Sequence, residues 1–129
     1  MPTTTSLWPD FPSEVPPRGM RQMLEEAGGD IGQKTGGTIE FRVKVFPEGN
    51  NLIHDCYLVV PRVGYQHLLL RVITGAKPFP AHIATTHEHN SGGVLNEESL
   101  RHVLKSNFQS QETREIVGNL IANFAPPAE

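Results

Sequence analysis

An α+β fold, with helices packed on one face of an antiparallel sheet, is what this sequence predicts, and three observations carry the prediction. Apolar residues recur at helical spacing just after residue 18, alternate strictly from residue 38, and return to helical spacing after Gly92-Gly93. Short turns separate the alternating runs, which suits antiparallel strands, since parallel neighbours need crossovers of a dozen residues or more. The 129 residues suffice for one domain with a real core. The expected order is an N-terminal helix, a four-stranded antiparallel meander and two C-terminal helices on one sheet face.

Residues 1–17 carry prolines at positions 2, 9, 12, 16 and 17. Proline removes backbone donors and pushes its predecessor toward extended conformations. This segment therefore reads as an extended or mobile arm, with Trp8 and Phe11 either pinning it to the domain or anchoring a partner. The domain itself is expected over 18–124, followed by a tail over 125–129.

From Arg18 the stripe Met20, Met23, Leu24, Ala27, Ile31 predicts one helix over about 18–34, ended by Gly36-Gly37. Gly28 and Gly29 weaken it by about 1 kcal/mol each, so a helix stopping at Ala27 is the alternative. The glycines of GGDIGQKTGG do not make a phosphate loop, because Gln33 separates Gly32 from Lys34 and no strand precedes them.

Thr38–Phe46 alternates, with Ile39, Phe41, Val43 and Val45 on one face and Glu40, Arg42 and Lys44 on the other. The turn PEGNN leads to a second strand, LIHDCYLVVP, ended by Pro61. An inward face of Cys56, Leu58 and Val60 leaves Asp55 solvated, as an unpartnered carboxylate requires. The third strand, YQHLLLRVIT, is expected to place Leu68, Leu70 and Val72 on one face and His67, Leu69, Arg71 and Ile73 on the other. AHIATT makes a short fourth strand. Asn96 is the expected N-cap of NEESLRHVLKSNF, with Glu97 and Glu98 complementing the helix dipole. Ser110 opens a second helix whose inner face is Ile116, Val117, Leu120, Ile121 and Phe124.

The composition narrows the function. Eleven basic and fourteen acidic side chains give a net charge of -3, and the basic residues are scattered. Nucleic-acid binders usually present a basic face, so that class is disfavoured. No apolar run approaches the ~20 residues needed to span a bilayer. The N-terminus lacks the charged and apolar regions of a secretory signal, so a cytoplasmic protein is expected. Cys56 is the only cysteine, which excludes an intramolecular disulfide and a cysteine-based zinc site.

The densest chemical signal is AHIATTHEHNSGG, with His82, His87, Glu88 and His89 in eight residues. Metal binding requires these groups to converge, with His54 as a further ligand from a neighbouring strand. The spacing matches no helical metalloprotease pattern, and a polar strand end entering a loop accounts for it. Cys56 lies two residues from His54, yet a mid-strand cysteine is usually an inert core residue. No serine elbow is present, and the paired glutamates stand adjacent on helices rather than side by side.

No catalytic residue, cofactor or metal site is therefore assigned. The expected function is that of a small non-enzymatic protein-binding domain, accessory, chaperone-like or toxin-neutralising, with metal binding by the histidine loop as the alternative. The expected contact is the sheet face carrying Leu69 and Ile73, or the arm with Trp8 and Phe11, since apolar residues on an uncovered face mark an interface.

Overall fold

The computed structural model describes residues 7–9, 18–85 and 93–126. The expected helix over 18–34 is two helices, α1 (Met20–Gly28) and α2 (Ile31–Lys34). The break falls where Gly28 and Gly29 lower helix propensity. Gly28 also lies flat against Phe41, because a Cβ there would stand 2.6 Å from the ring. Thr35 closes α2: its Oγ1 donates to the Ile31 carbonyl at 2.8 Å and accepts from the Ile39 amide at 3.0 Å. Gly36 (φ +62°) and Gly37 (φ +85°) then turn the chain into the sheet through left-handed backbone that glycine adopts without strain.

The sheet is a meander of β1 (Glu40–Glu48), β2 (Asn51–Val60), β3 (Tyr65–Thr74) and β4 (His82–Thr85), in that order and antiparallel throughout. One row of side chains toward the helices is Val43, Cys56, Leu70 and Thr85; the next is Val45, His54, Val72 and Ile83. Below β4, Ala81 and Val94 exchange backbone hydrogen bonds of 2.8 and 2.7 Å, tying the chain before α3 to the sheet.

One irregularity changes the expected faces of β3. Cys56 lies opposite Leu70 and Tyr57 opposite Leu68, so Leu69 has no partner on β2. This is a β-bulge, with two residues of one strand facing one of the other. Leu69 consequently turns inward beside Leu70 and is 1% exposed, packed with Ile39, Leu58, Val60 and Leu120. Leu68 takes the outer face with Tyr57, and His67 lies opposite Leu58 on the helix side. The expectation that Leu69 shares the outer face with Ile73 is therefore corrected. Ile73 itself does lie there, beside Ile53 and His82.

Helix α3 (Glu97–Phe108) starts at a capping box: the Ser99 amide donates to Asn96 Oδ1 at 2.8 Å, and the Asn96 amide reaches Ser99 Oγ. Helix α4 (Gln111–Phe124) is capped by Ser110, whose Oγ accepts from the Thr113 amide. The core has two parts. Met20, Met23 and Leu24 of α1 and Leu100 and Leu104 of α3 cover Val43, Cys56, Leu70, Val72 and Ile83. Leu120, Val117, Ile121 and Phe124 of α4 cover Leu58, Val60 and Leu69. Arg18 links α1 to α3, bonding Glu26 of α1 and, at 2.7 Å, Glu97 of α3.

No helix among the described residues lies on the other sheet face. Asp55 is nonetheless 4% exposed, not solvated as the inward face of β2 had suggested. Arg71 donates to it from Nε at 2.6 Å and from Nη2 at 3.0 Å. The Arg71 guanidinium lies over Phe46, and the Lys44 ammonium over Tyr57. Long side chains of the flanking strands thus close over the central strand, and a two-point charge-assisted bond offsets desolvation of the carboxylate.

Candidate functional site

Because α1–α2 and α4 cover different parts of the sheet, a cleft of about 1400 Å³ opens between them. Its floor is sheet side chains, Phe41, Leu58 and Leu69; its walls are α1–α2 on one side and α3–α4 on the other. Phe41 and Phe108 meet edge to face, with centroids 5.7 Å apart and rings inclined by 74°. Phe41, Phe108, Val117 and Ile121 are only half-buried, so apolar carbon remains accessible between the walls. The rim is polar. Lys34 of α2, Arg101 and Lys105 of α3 and Arg114 of α4 stand there with His102, against the carboxylates of Asp30 and Glu98.

His54 and His82, the described histidines of the ligand set that the sequence suggests, do not meet in this cleft or elsewhere. His54 is buried on the helix side of β2, its Nδ1 3.2 Å from the Val72 carbonyl oxygen. His82 is exposed on the opposite sheet face, opposite Ile73. The sheet therefore separates them, and His54 does not join His82 in a ligand set. His87, Glu88 and His89 lie outside the described residues. Among the described residues, no group of three His, Cys, Asp or Glu side chains is placed to hold a metal ion.

Cys56 is fully buried in the first core cluster. Burial, with a smaller contribution from the Asp55 charge, pushes its thiol well above the ordinary range. Such a sulfur packs as an apolar group and is a poor nucleophile. Trp8 is 75% exposed and Leu7 99%, while Phe11 lies outside the described residues. No helix among the described residues is long and apolar enough to cross a membrane.

Burial also lowers the pKa of His54, opposed by its hydrogen bonds to the backbone of Val72 and Leu52. The unfolded chain takes up this proton near pH 6.5, while the folded chain resists it until lower pH. The resulting stability is complete above pH 6.5 and is lost as the pH falls below it. Melting temperatures measured from pH 7.5 to 5.5 should therefore fall more steeply for the natural chain than for His54→Gln. Equal slopes would show that His54 does not resist protonation in the fold.

The cleft was not legible in advance. Its one trace in the sequence is Arg101 and Lys105, like charges one helical turn apart, a spacing that destabilises a helix by a few tenths of a kcal/mol. Comparison of the chain with known protein families, curated proteins and solved structures finds no significant match.

Proposed function

We propose that the chain is a protein-binding domain without a catalytic site, which receives a segment of a partner protein in the cleft between α1–α2 and α3–α4. The observation that carries this is the half-buried apolar floor and wall of Phe41, Phe108, Val117 and Ile121, rimmed by charge. An apolar centre within a polar rim is the usual anatomy of a recognition surface. The cleft volume of about 1400 Å³ exceeds the roughly 300–1,000 Å³ of small-molecule pockets and suits a peptide segment better. A cytoplasmic setting belongs to the same proposal and rests on the single buried thiol of Cys56.

Selection from a displayed library of random 15-residue peptides tests it. Binders are expected to share an apolar stripe, and Val117→Gln is expected to weaken them about tenfold, one buried apolar contact in affinity terms. Circular dichroism of that variant separates lost binding from lost folding. Binders unaffected by Val117→Gln in a folded protein would remove the cleft from consideration.

A second reading places the partner on the open sheet face. Phe46 is 36% exposed there, and Ile73 is half-buried beside it across Ile53. The arm with Trp8 and Phe11 belongs with this reading as a further contact. Ile73→Lys should then abolish binding while Val117→Gln leaves it intact.

A further inference from the structure

Resting on the cleft as the binding site, we propose that its occupant is an acidic amphipathic α-helix, packed closely against α4 at Gly118. Three independent features of the cleft specify charge, backbone and closeness of approach.

The first is where the unpaired cations stand. Of the eleven Lys and Arg side chains, Arg18, Arg21, Arg42 and Arg71 are in ion pairs with carboxylates, and none of these four lines the cleft. Of the seven others, none of which makes an ion pair among the described residues, Lys34, Arg101, Lys105 and Arg114 line it, while Lys44, Arg62 and Lys77 stand elsewhere. Arg101 only adds a weak distant pull on Glu26, whose main partner is Arg18. Four cations against the two carboxylates Asp30 and Glu98 make this region positive in a chain of net charge -3. The charge complementary to that rim is acidic.

The second is what the cleft cannot supply. Its floor consists of side chains from the face of the sheet, not of a strand edge, so it offers no ladder of backbone donors and acceptors. An extended segment would bury its own amides and carbonyls unpaired. A helix satisfies them internally and presents only side chains. A cylinder of helix about 10 Å wide and three turns long fills roughly 1,200–1,300 Å³, close to the space available. The cations also sit on three separate helices, α2, α3 and α4. That distribution matches acids spread along a helix flank better than the single headgroup of a long-chain carboxylate.

The third is Gly118. It lies in the middle of α4 and lines the cleft, and a Cβ built there meets nothing within 4 Å. No contact within the described chain requires glycine at this position, although glycine weakens a helix relative to alanine. A missing side chain facing a groove lets a second helix approach the backbone closely.

Fluorescein-labelled 15-residue peptides with leucine at i, i+3, i+4 and i+7 and with glutamate, glutamine or lysine at the flanking positions test the inference by anisotropy with the full chain. The glutamate peptide is expected to bind about tenfold or more tighter than the glutamine peptide, the summed effect of several exposed charge pairs, and to lose that advantage at high salt. Lys105→Glu with Arg114→Glu should reverse the preference toward the lysine peptide. Gly118→Ala should raise the melting temperature by a few degrees. Gly118→Leu should weaken the glutamate peptide at least tenfold while circular dichroism stays unchanged. Equal binding of all three peptides would overturn the acidic helix and leave the cleft a protein site. Uptake of dodecanoate, with no peptide bound, would overturn both.

Discussion

Leu69→Lys is expected to unfold the protein, whereas Ile73→Lys, four residues along the same strand, is expected to leave it folded. Strict alternation puts both residues on one face, so only the bulge distinguishes them. Leu69 is 1% exposed among Ile39, Leu58, Val60 and Leu120, with no carboxylate in that cluster. Truncating such a leucine costs about 2–5 kcal/mol, and forcing an ammonium into its place adds a desolvation penalty of several more. The sum matches the whole stability of about 5–15 kcal/mol of a typical domain. Ile73 lies on the face without helices, beside exposed His82, where a lysine stem lies along the sheet with its head in water. Its replacement is expected to cost about 1 kcal/mol. Circular dichroism and urea midpoints on both variants decide the matter. A folded Leu69→Lys with an unchanged midpoint would mean that β3 alternates without a bulge.

Removing Arg71 is expected to have the next largest effect. Asp55 is 4% exposed and receives two hydrogen bonds from that one guanidinium. Arg71→Met would leave a buried carboxylate with no compensating charge, a change that costs about 3–5 kcal/mol where both partners are buried. Arg71 is itself about one-third exposed, so water reaches part of the site and about 2–3 kcal/mol is expected. Replacing both residues, as Asp55→Leu with Arg71→Met, should recover much of this, since the penalty belongs to the orphaned charge rather than to the absent pair. Urea midpoints on the two single variants and the double variant give the coupling. A loss under about 0.5 kcal/mol for Arg71→Met would class the pair with ordinary surface bridges.

The elements were largely legible because each is a local pattern. Asn96 and Ser110 cap the two C-terminal helices as expected, and β3 has the bounds read from its sequence. Cys56, Leu58 and Val60 face inward as read, since alternation on β2 is unbroken. What failed depends on contacts distant in sequence. The bulge arises between Tyr57 and Leu69, twelve positions apart, and three consecutive leucines give no sign of which one is extra. Asp55 was misread because its partner Arg71 sits on the next strand. The cleft was hidden for the same reason: its floor and walls come from five stretches of chain, and only folding brings Lys34 and Arg114 to one rim. The split of the first helix, by contrast, is the alternative that Gly28 and Gly29 leave open, and α1 ends at Gly28, one residue beyond Ala27.

The extra residue at Leu69 also bears on how this chain tolerates change. It acts as a phase switch: residues before it and residues after it obey opposite parities, and each half of β3 answers to a different helix. A deletion at Leu69 would remove the bulge and leave Leu68 opposite Tyr57 and Leu70 opposite Cys56 as before, with every other side chain on its present face, at the cost of one buried leucine. One residue fewer elsewhere within β3 would move every side chain on one side of the cut to the wrong face. Length variation inside the third strand is therefore tolerated at the bulge and forbidden on either side of it, and a comparison of sequences that allows gaps only in loops would misalign half of that strand against a chain without the bulge.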